Sequence, residues 1–265
     1  MLSLRVINQA GDICAEVQGE SAAELACDRP YADGDILEVT SSTDQHVVLS
    51  LEPAIAPALL FLKRQSYRFA VPFGERRKTF APDAYMGEQH LQVRTATQDE
   101  IATRRNLALN PWDEDGNQVL FPHAFDNLPQ REDQRYRARH AIDGEVTNDK
   151  HGNWPCTSWG INRDATAALT LDFARQVQVD EIILTLRADF PHDAAWSHAT
   201  VTFSDQSTLA LPLIKTAAPQ HFAFAPRLIT ELRLRDLIKA DDPSPFPALT
   251  QIEVWGRDGP EVQHG

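Results

Sequence analysis

The sequence predicts a mainly β protein, built as two β-sandwich, jelly-roll-like domains joined by a short helix. Three observations predict it. Apolar and polar residues alternate with period two through most of the chain, and the runs are short and evenly spaced between turns of Gly, Pro and Asp. Pro outnumbers Gly, 17 to 12, which favours strand ends and turns over long helices. Only one segment, 97–109, carries good helix signals. A chain of 265 residues holds one large or two small domains at roughly 100–200 residues each, and a 42% hydrophobic share supplies a core for each half.

The N-terminal domain is expected over 1–96. In its first strand Leu2, Leu4 and Val6 alternate with Ser3, Arg5 and Ile7, and Ile13, Ala15 and Val17 follow with the same period. A turn at Asp33–Gly34 leads into 35–42, and runs at 46–51, 58–63 and 67–72 complete about six half-buried antiparallel strands. This half shows no catalytic motif. The segment 97–109 reads as a connecting helix. Thr97 with Glu100 forms a capping box, Asp99 and Glu100 lie at the positive end of the helix dipole, and Asn110–Pro111 stops the run. No Gly/Ser-rich or Pro-rich linker separates the halves.

The second domain is expected over 110–256. After a loop-rich stretch and a charged run, short strands are predicted at 168–173, 179–190, 199–205, 207–214, 221–226, 229–237 and 249–256, with Pro191, Pro212, Pro219 and Pro226 at edges or ends. Residues 257–265 read as a disordered tail.

Charge and cysteine usage narrow the function classes. Lys+Arg total 25 against 38 Asp+Glu, a net charge of −13, which makes nucleic acid a poor partner. The one basic run, Arg131–Arg139, is broken by Glu132 and Asp133 and reads as a solvated loop. Cys14, Cys27 and Cys156 are odd in number and widely spaced, which fits neither a disulfide framework nor a zinc knuckle. No segment has signal-peptide character or membrane-spanning length, so the expectation is a cytoplasmic protein with reduced thiols and no membrane partner.

The C-terminal half carries a series of ordered signals. ARHAIDGEVTNDKHGNWPCTSWG contains Ala141, Asp143, Gly144 and Trp159; ALTLDFARQVQVDEIILTLR, ATVTFSDQS and LTQIEVWG follow, the last ending in Trp255–Gly256. In this order they resemble the discoidin, or coagulation-factor type C, domains and the family 32 carbohydrate-binding modules, which are galactose-binding-like. The resemblance runs from about Asn110 to Gly256 and leaves the N-terminal half outside. It implies a jelly-roll-like sandwich with a ligand site in the loops at one end. It also implies a structural calcium near Asp143. The closing acidic position is the neutral Gln251, which weakens that cofactor expectation, because calcium prefers several hard, charged oxygens.

Two loops concentrate polar chemistry. The first, 142–164, includes His151, Trp154 and Arg163. Planar donors and acceptors beside an aromatic face are what sugar recognition needs; the alternative is that Trp159 is core and the polar residues only build turns. The second, 186–199, places Arg187 at the end of an apolar strand, followed by Asp189, His192, Asp193 and Trp196. There Arg187 is expected to meet hydroxyls or a carboxylate and Trp196 to stack, or else Arg187 and Asp189 pair to pin the loop. His123, in LFPHAF, joins the candidate ligand set; a transition-metal site with His151 and His192 lacks any short ligand spacing. A fourth segment, 237–256, holds Pro243, Pro245 and Pro247 in a stiff extended loop.

The expected function is non-catalytic binding of a sugar or sugar acid through these loops. The alternatives are an enzyme acting on a sugar or uronate with an acid–base pair from Asp189, Asp193, His192 or His151, and a protein-interaction module whose N-terminal sandwich makes a homo-oligomer.

Overall fold

The structure is a computed structural model and describes residues 1–130, 132–147, 154–188 and 194–259. It is mainly β. The strands are β1 (Leu2–Ile7), β2 (Ile13–Gly19), β3 (Ala22–Cys27), β4 (Ile36–Ser41), β5 (Gln45–Ser50), β6 (Ala58–Leu62), β7 (Ser66–Ala70), β8 (Gln89–Thr95) and β9 (Arg105–Asn106). They continue with β10 (Leu120–Phe121), β11 (His123–Asp126), β12 (Trp159–Gly160), β13 (Leu169–Leu186), β14 (Trp196–Phe203), β15 (Thr208–Pro212), β16 (Gln220–Lys239) and β17 (Ala248–Asp258). Among the described residues the α-helices are single turns, α1 (Gly74–Arg77) and α2 (Gln98–Ala102), and no helix is long and apolar enough to cross a membrane. The chain divides into two compact units, Met1–Ile101 with Asn117–Phe121, and Ala102–Gly116 with Pro122–Gly265.

The first unit is an antiparallel sandwich of two sheets, ordered β2-β1-β4-β7 and β10-β6-β5-β8-β3. Period-two alternation turns one face of each sheet inward: Leu2, Leu4, Val6, Leu37, Val39, Val47, Leu49, Leu60 and Leu62 are all fully buried. On the outer face of the first sheet, Arg5 bonds Glu16 at 2.8 Å and reaches Glu38 at 3.2 Å, and Arg68 bonds Glu38 at 2.8 Å. Two strands beyond the expected six, β3 and β8, complete the second sheet by pairing Ala22–Cys27 with Arg94–Gln89.

The connecting segment differs from the helix expected over 97–109. The capping box forms: Thr97 N–H donates to Glu100 Oε2 at 2.8 Å, and Glu100 N–H donates to Thr97 Oγ1 at 3.3 Å. The helix nevertheless ends at Ala102. Beyond it, Arg105 and Asn106 pair with Gly256 and Trp255 as β9, Asn106 Oδ1 accepts the N–H groups of Ala108 and Val254 at 3.0 Å each, and Leu107 and Ala108 are buried. Ladder bonds and burial outweigh the modest propensity of a lone helix.

The second unit is built on β13 and β16, which pair along nearly their whole length. Their other partners change partway. The first part of β13 pairs with β11 and its last part, Val177–Leu186, with β17, while Leu232–Lys239 of β16 pairs with β14. The register breaks between Asp172 and Val177, where Ala174 is left-handed at φ 54°. One hydrogen-bonded sheet, β12-β17-β13-β16-β14-β15, thereby folds over into two layers. The runs expected as separate strands at 168–173 and 179–190 are one bent strand, as are those at 221–226 and 229–237. Trp159, Phe173, Trp196 and Phe203 fill the core, with the two indole rings 6.3 Å apart.

The last strand extends past the expected boundary at Gly256. Asp258, its side chain 8% exposed, is gripped by both Arg105 and Arg175, and Gly259 N–H donates to Gln176 O at 3.0 Å. Residues 257 and 258 therefore belong to the sheet rather than to a tail. Gly256 lies so close to the neighbouring strand that a Cβ would stand 2.0 Å from Gln178 O. No disulfide is present among the described residues; Cys27 and Cys156 are buried and Cys14 is exposed.

Candidate functional site

At the end of β13, Arg187 follows Leu186 directly, and its N–H donates to Ala248 O at 2.9 Å, at the start of β17. These adjacent strand ends, with β12 beside them, form the floor of a pocket of about 310 Å³. Tyr136, from a 3-10 turn at Gln134–Tyr136, lines it, as do Gly160, Ile161 and Asn162 after β12 and Phe246 with Pro247 from the loop before β17. The pocket thus draws on four segments of the second unit: the 3-10 turn, the end of β12, the end of β13 and the loop that enters β17.

Local chemistry shapes each wall. Asp133 caps the 3-10 turn by accepting Arg135 N–H at 3.1 Å and holds the Arg135 guanidinium through Nε at 2.9 Å and Nη2 at 2.8 Å. Tyr136 is thereby presented to Arg187, whose guanidinium lies 5.4 Å from the ring centroid. Arg187 itself is only 3% exposed. Its Nη1 donates to Cys156 O at 2.9 Å and to Ser158 Oγ at 3.4 Å, which fixes the guanidinium plane. On the opposite rim, Asp164 N–H bonds Ile161 O at 2.9 Å and closes a turn whose central residues, Asn162 (φ 48°) and Arg163 (φ 66°), are both left-handed, as in a type I′ turn. That turn lays the Arg163 guanidinium 4.4 Å from the centroid of Phe246, which is 41% exposed. The stiff proline loop read from the sequence is the segment that presents Phe246.

Of the residues expected in the site, Arg187 lines this pocket, and Arg163 lies against Phe246, which also lines it. His151, Asp189, His192 and Asp193 lie outside the described residues. Trp154 is half-buried and does not line the pocket; the Glu145 carboxyl bonded to it is pushed up by burial, against the opposing Thr147 N–H. Two expectations are corrected. Trp196 is 1% exposed and packs on Trp159 in the core, because a bulge between Trp196 and His198 turns its side chain inward, so it offers no stacking face to a ligand. His123 is buried in β11, 2.8 Å from Asp113 and stacked on Phe125 at 5.5 Å; Asp113 also accepts Ala124 N–H at 2.8 Å, so the pair braces a strand away from the pocket.

Asp143 is likewise occupied by protein donors. Its carboxylate lies 2.8 Å from His140 Nδ1 and accepts Glu145 N–H at 2.9 Å and Thr157 Oγ1 at 3.3 Å, while Gln251 Oε1 accepts Gly144 N–H at 3.3 Å. Among the described residues no group of three or more His, Cys, Asp or Glu side chains is placed to hold a metal ion. Calcium takes about six to eight oxygen ligands, whereas the Asp143 oxygens are taken up by His140, Glu145 N–H and Thr157, so the described residues do not fit that ion. The site residues that sequence reasoning missed are Tyr136 and Phe246. One is embedded in the charged run 131–139, and the other lies between prolines.

In overall architecture the second unit is a two-layer antiparallel sandwich with its pocket at one end. Solved structures similar to this chain include carbohydrate-binding modules and lectin domains. Chitosan-binding module 1 of a chitosanase/glucanase from Paenibacillus sp. IK-5 is 19% identical, over 57% of this chain and 99% of its own, with a TM-score of 0.38. The lectin domain of lectinolysin, complexed with Lewis b antigen, is 15% identical over 58% of this chain and 98% of its own, with a TM-score of 0.43. The family 32 carbohydrate-binding module of C. perfringens NanJ, in complex with galactose, is 14% identical over 50% and 91%, with a TM-score of 0.36. No known protein family matches the sequence, and neither does any curated protein.

Proposed function

We propose that this chain is a carbohydrate-binding protein that holds a sugar in the pocket beside Arg187. The observation that carries the reading is a buried, fixed guanidinium at a pocket lined by two aromatic residues, Tyr136 and Phe246. A sugar ring offers an apolar C–H face and a rim of hydroxyls. Aromatic walls suit the first, and an oriented guanidinium with the Asn162 amide suits the second. At about 310 Å³ the pocket lies at the small end of the roughly 300–1,000 Å³ range of ligand sites, which favours one sugar unit. The described lining offers a guanidinium, an amide and two aromatic rings, which is recognition chemistry, and recognition is the proposed role.

Calorimetric titration with a panel of monosaccharides and short glycans tests this reading. At least one sugar is expected to bind wild type, and Phe246→Ala is expected to weaken it about tenfold, roughly 1.4 kcal/mol, without lowering the melting temperature. Phe246 is an exposed loop residue, so the substitution leaves the core intact. Absence of binding across the panel, or a Phe246→Ala protein that binds as wild type does, would sink the assignment.

A further inference from the structure

We infer that the sugar held in this pocket is an anionic one, a hexuronic acid or similar sugar acid, whose carboxylate is received by Arg163 at the rim. The inference rests on the carbohydrate reading above and narrows it to a ligand class. Its first basis is charge. The chain as a whole carries a net charge of −13, yet the described pocket lining includes a guanidinium and no carboxylate. Three described acidic side chains close in sequence to lining residues each bond other protein groups. Asp164 accepts both the N–H and the hydroxyl of Thr166, at 2.8 and 2.7 Å. Asp242 is held by Lys239 Nζ at 3.2 Å and Ala195 N–H at 3.2 Å. Asp133 is chelated by Arg135, which takes that cation out of account as well.

The second basis is the presentation of Arg163. Its guanidinium lies against the Phe246 ring and makes no hydrogen bond or ion pair among the described residues. A guanidinium that rests over an aromatic ring and bonds no protein acceptor keeps its N–H groups available to a ligand. Their planar fork matches a carboxylate. A neutral hydroxyl would use one such donor; a carboxylate uses two at once.

The third basis is conformational. Arg163 takes the second central position of a turn in which both residues have positive φ, a place that glycine fills without strain. An arginine there is held against its backbone preference. The turn itself asks for no side chain there, which leaves the guanidinium beside Phe246 available to a ligand.

The test uses stereochemically matched pairs, galactose with galacturonate and glucose with glucuronate, titrated into the full chain and into Arg163→Gly and Arg163→Gln. Wild type is expected to bind the acid of at least one pair at least tenfold more tightly than its neutral partner, and added salt is expected to shrink that ratio. Arg163→Gly is expected to melt at or above the wild-type temperature while its acid preference falls to within about threefold; Arg163→Gln loses the same preference. Equal or tighter binding of the neutral sugars overturns the inference and leaves the carbohydrate reading standing, as does an acid preference that survives in both variants. If neither member of any pair binds, both readings fall.

Discussion

His123 and His140 are both buried beside an aspartate, and their surroundings shift them in opposite directions. Burial alone pushes the His123 imidazole down, but the Asp113 hydrogen bond and the charges of Asp113, Asp172 and Asp115 outweigh it, and its pKa rises. For His140, burial and the neighbouring Arg139 outweigh Asp143, and its pKa falls. The signs follow from linkage. A raised histidine contributes stability that is complete below its unfolded value near 6.5 and is lost as pH climbs through the folded pKa. A lowered one stays neutral in the fold while the unfolded chain takes up a proton, so stability drops as pH falls below about 6.5. NMR titration is expected to place His123 above the free-histidine value and His140 below it; a His123 resonance that titrates at or below that value would contradict the Asp113 pairing. At this scale the sequence was informative where chemistry follows strand position: Arg187 could be read because it ends an apolar strand. Trp196 could not, because alternation back from Ala199 predicts an outward side chain and the bulge after Trp196 reverses the phase.

At the level of elements, pairing and alternation were legible, but bends were not. The apolar runs in β13 and β16 are visible in the sequence, whereas the bend within β13 passes through Ala174 in a left-handed conformation that no residue-type preference announces. The helix 97–109 shows the converse: a correct capping signal starts a helix that tertiary pairing of Arg105 and Asn106 cuts to one turn. Two predictions belong here. Replacing Asp258 by Ala leaves the buried Arg175 without its carboxylate and is expected to cost about 3 kcal/mol in chemical denaturation; a change under about 1 kcal/mol would mean that water or Arg105 compensates. Gly256→Ala forces a methyl against Gln178 O and is expected to destabilise by more than an ordinary surface change, roughly 2 kcal/mol or more. An unaltered melting temperature would show that the β13–β17 ladder is loose at that point.

For the whole molecule, two sandwiches were legible because strand spacing and turn residues recur in both halves. The path of the chain between them was not. The sequence places the first domain at 1–96, yet residues 117–121 return to the first unit, where β10 pairs Leu120 and Phe121 with Leu62 and Phe61 and covers the edge of β6. Two two-residue pairings, β9 and β10, are too short to leave a periodic signal. A fragment ending at Ala96 is therefore expected to expose an unpaired strand edge and to aggregate or melt well below the intact protein; a soluble, cooperatively folding 1–96 would contradict this. The same excursion bears on inheritance. Because neither unit is a single continuous stretch of sequence, no single cut in the gene separates them cleanly, and recombination that shuffles one sandwich into another protein would carry away a strand of its neighbour. Selection would then pass the two on together, as one heritable unit, whatever each of them binds.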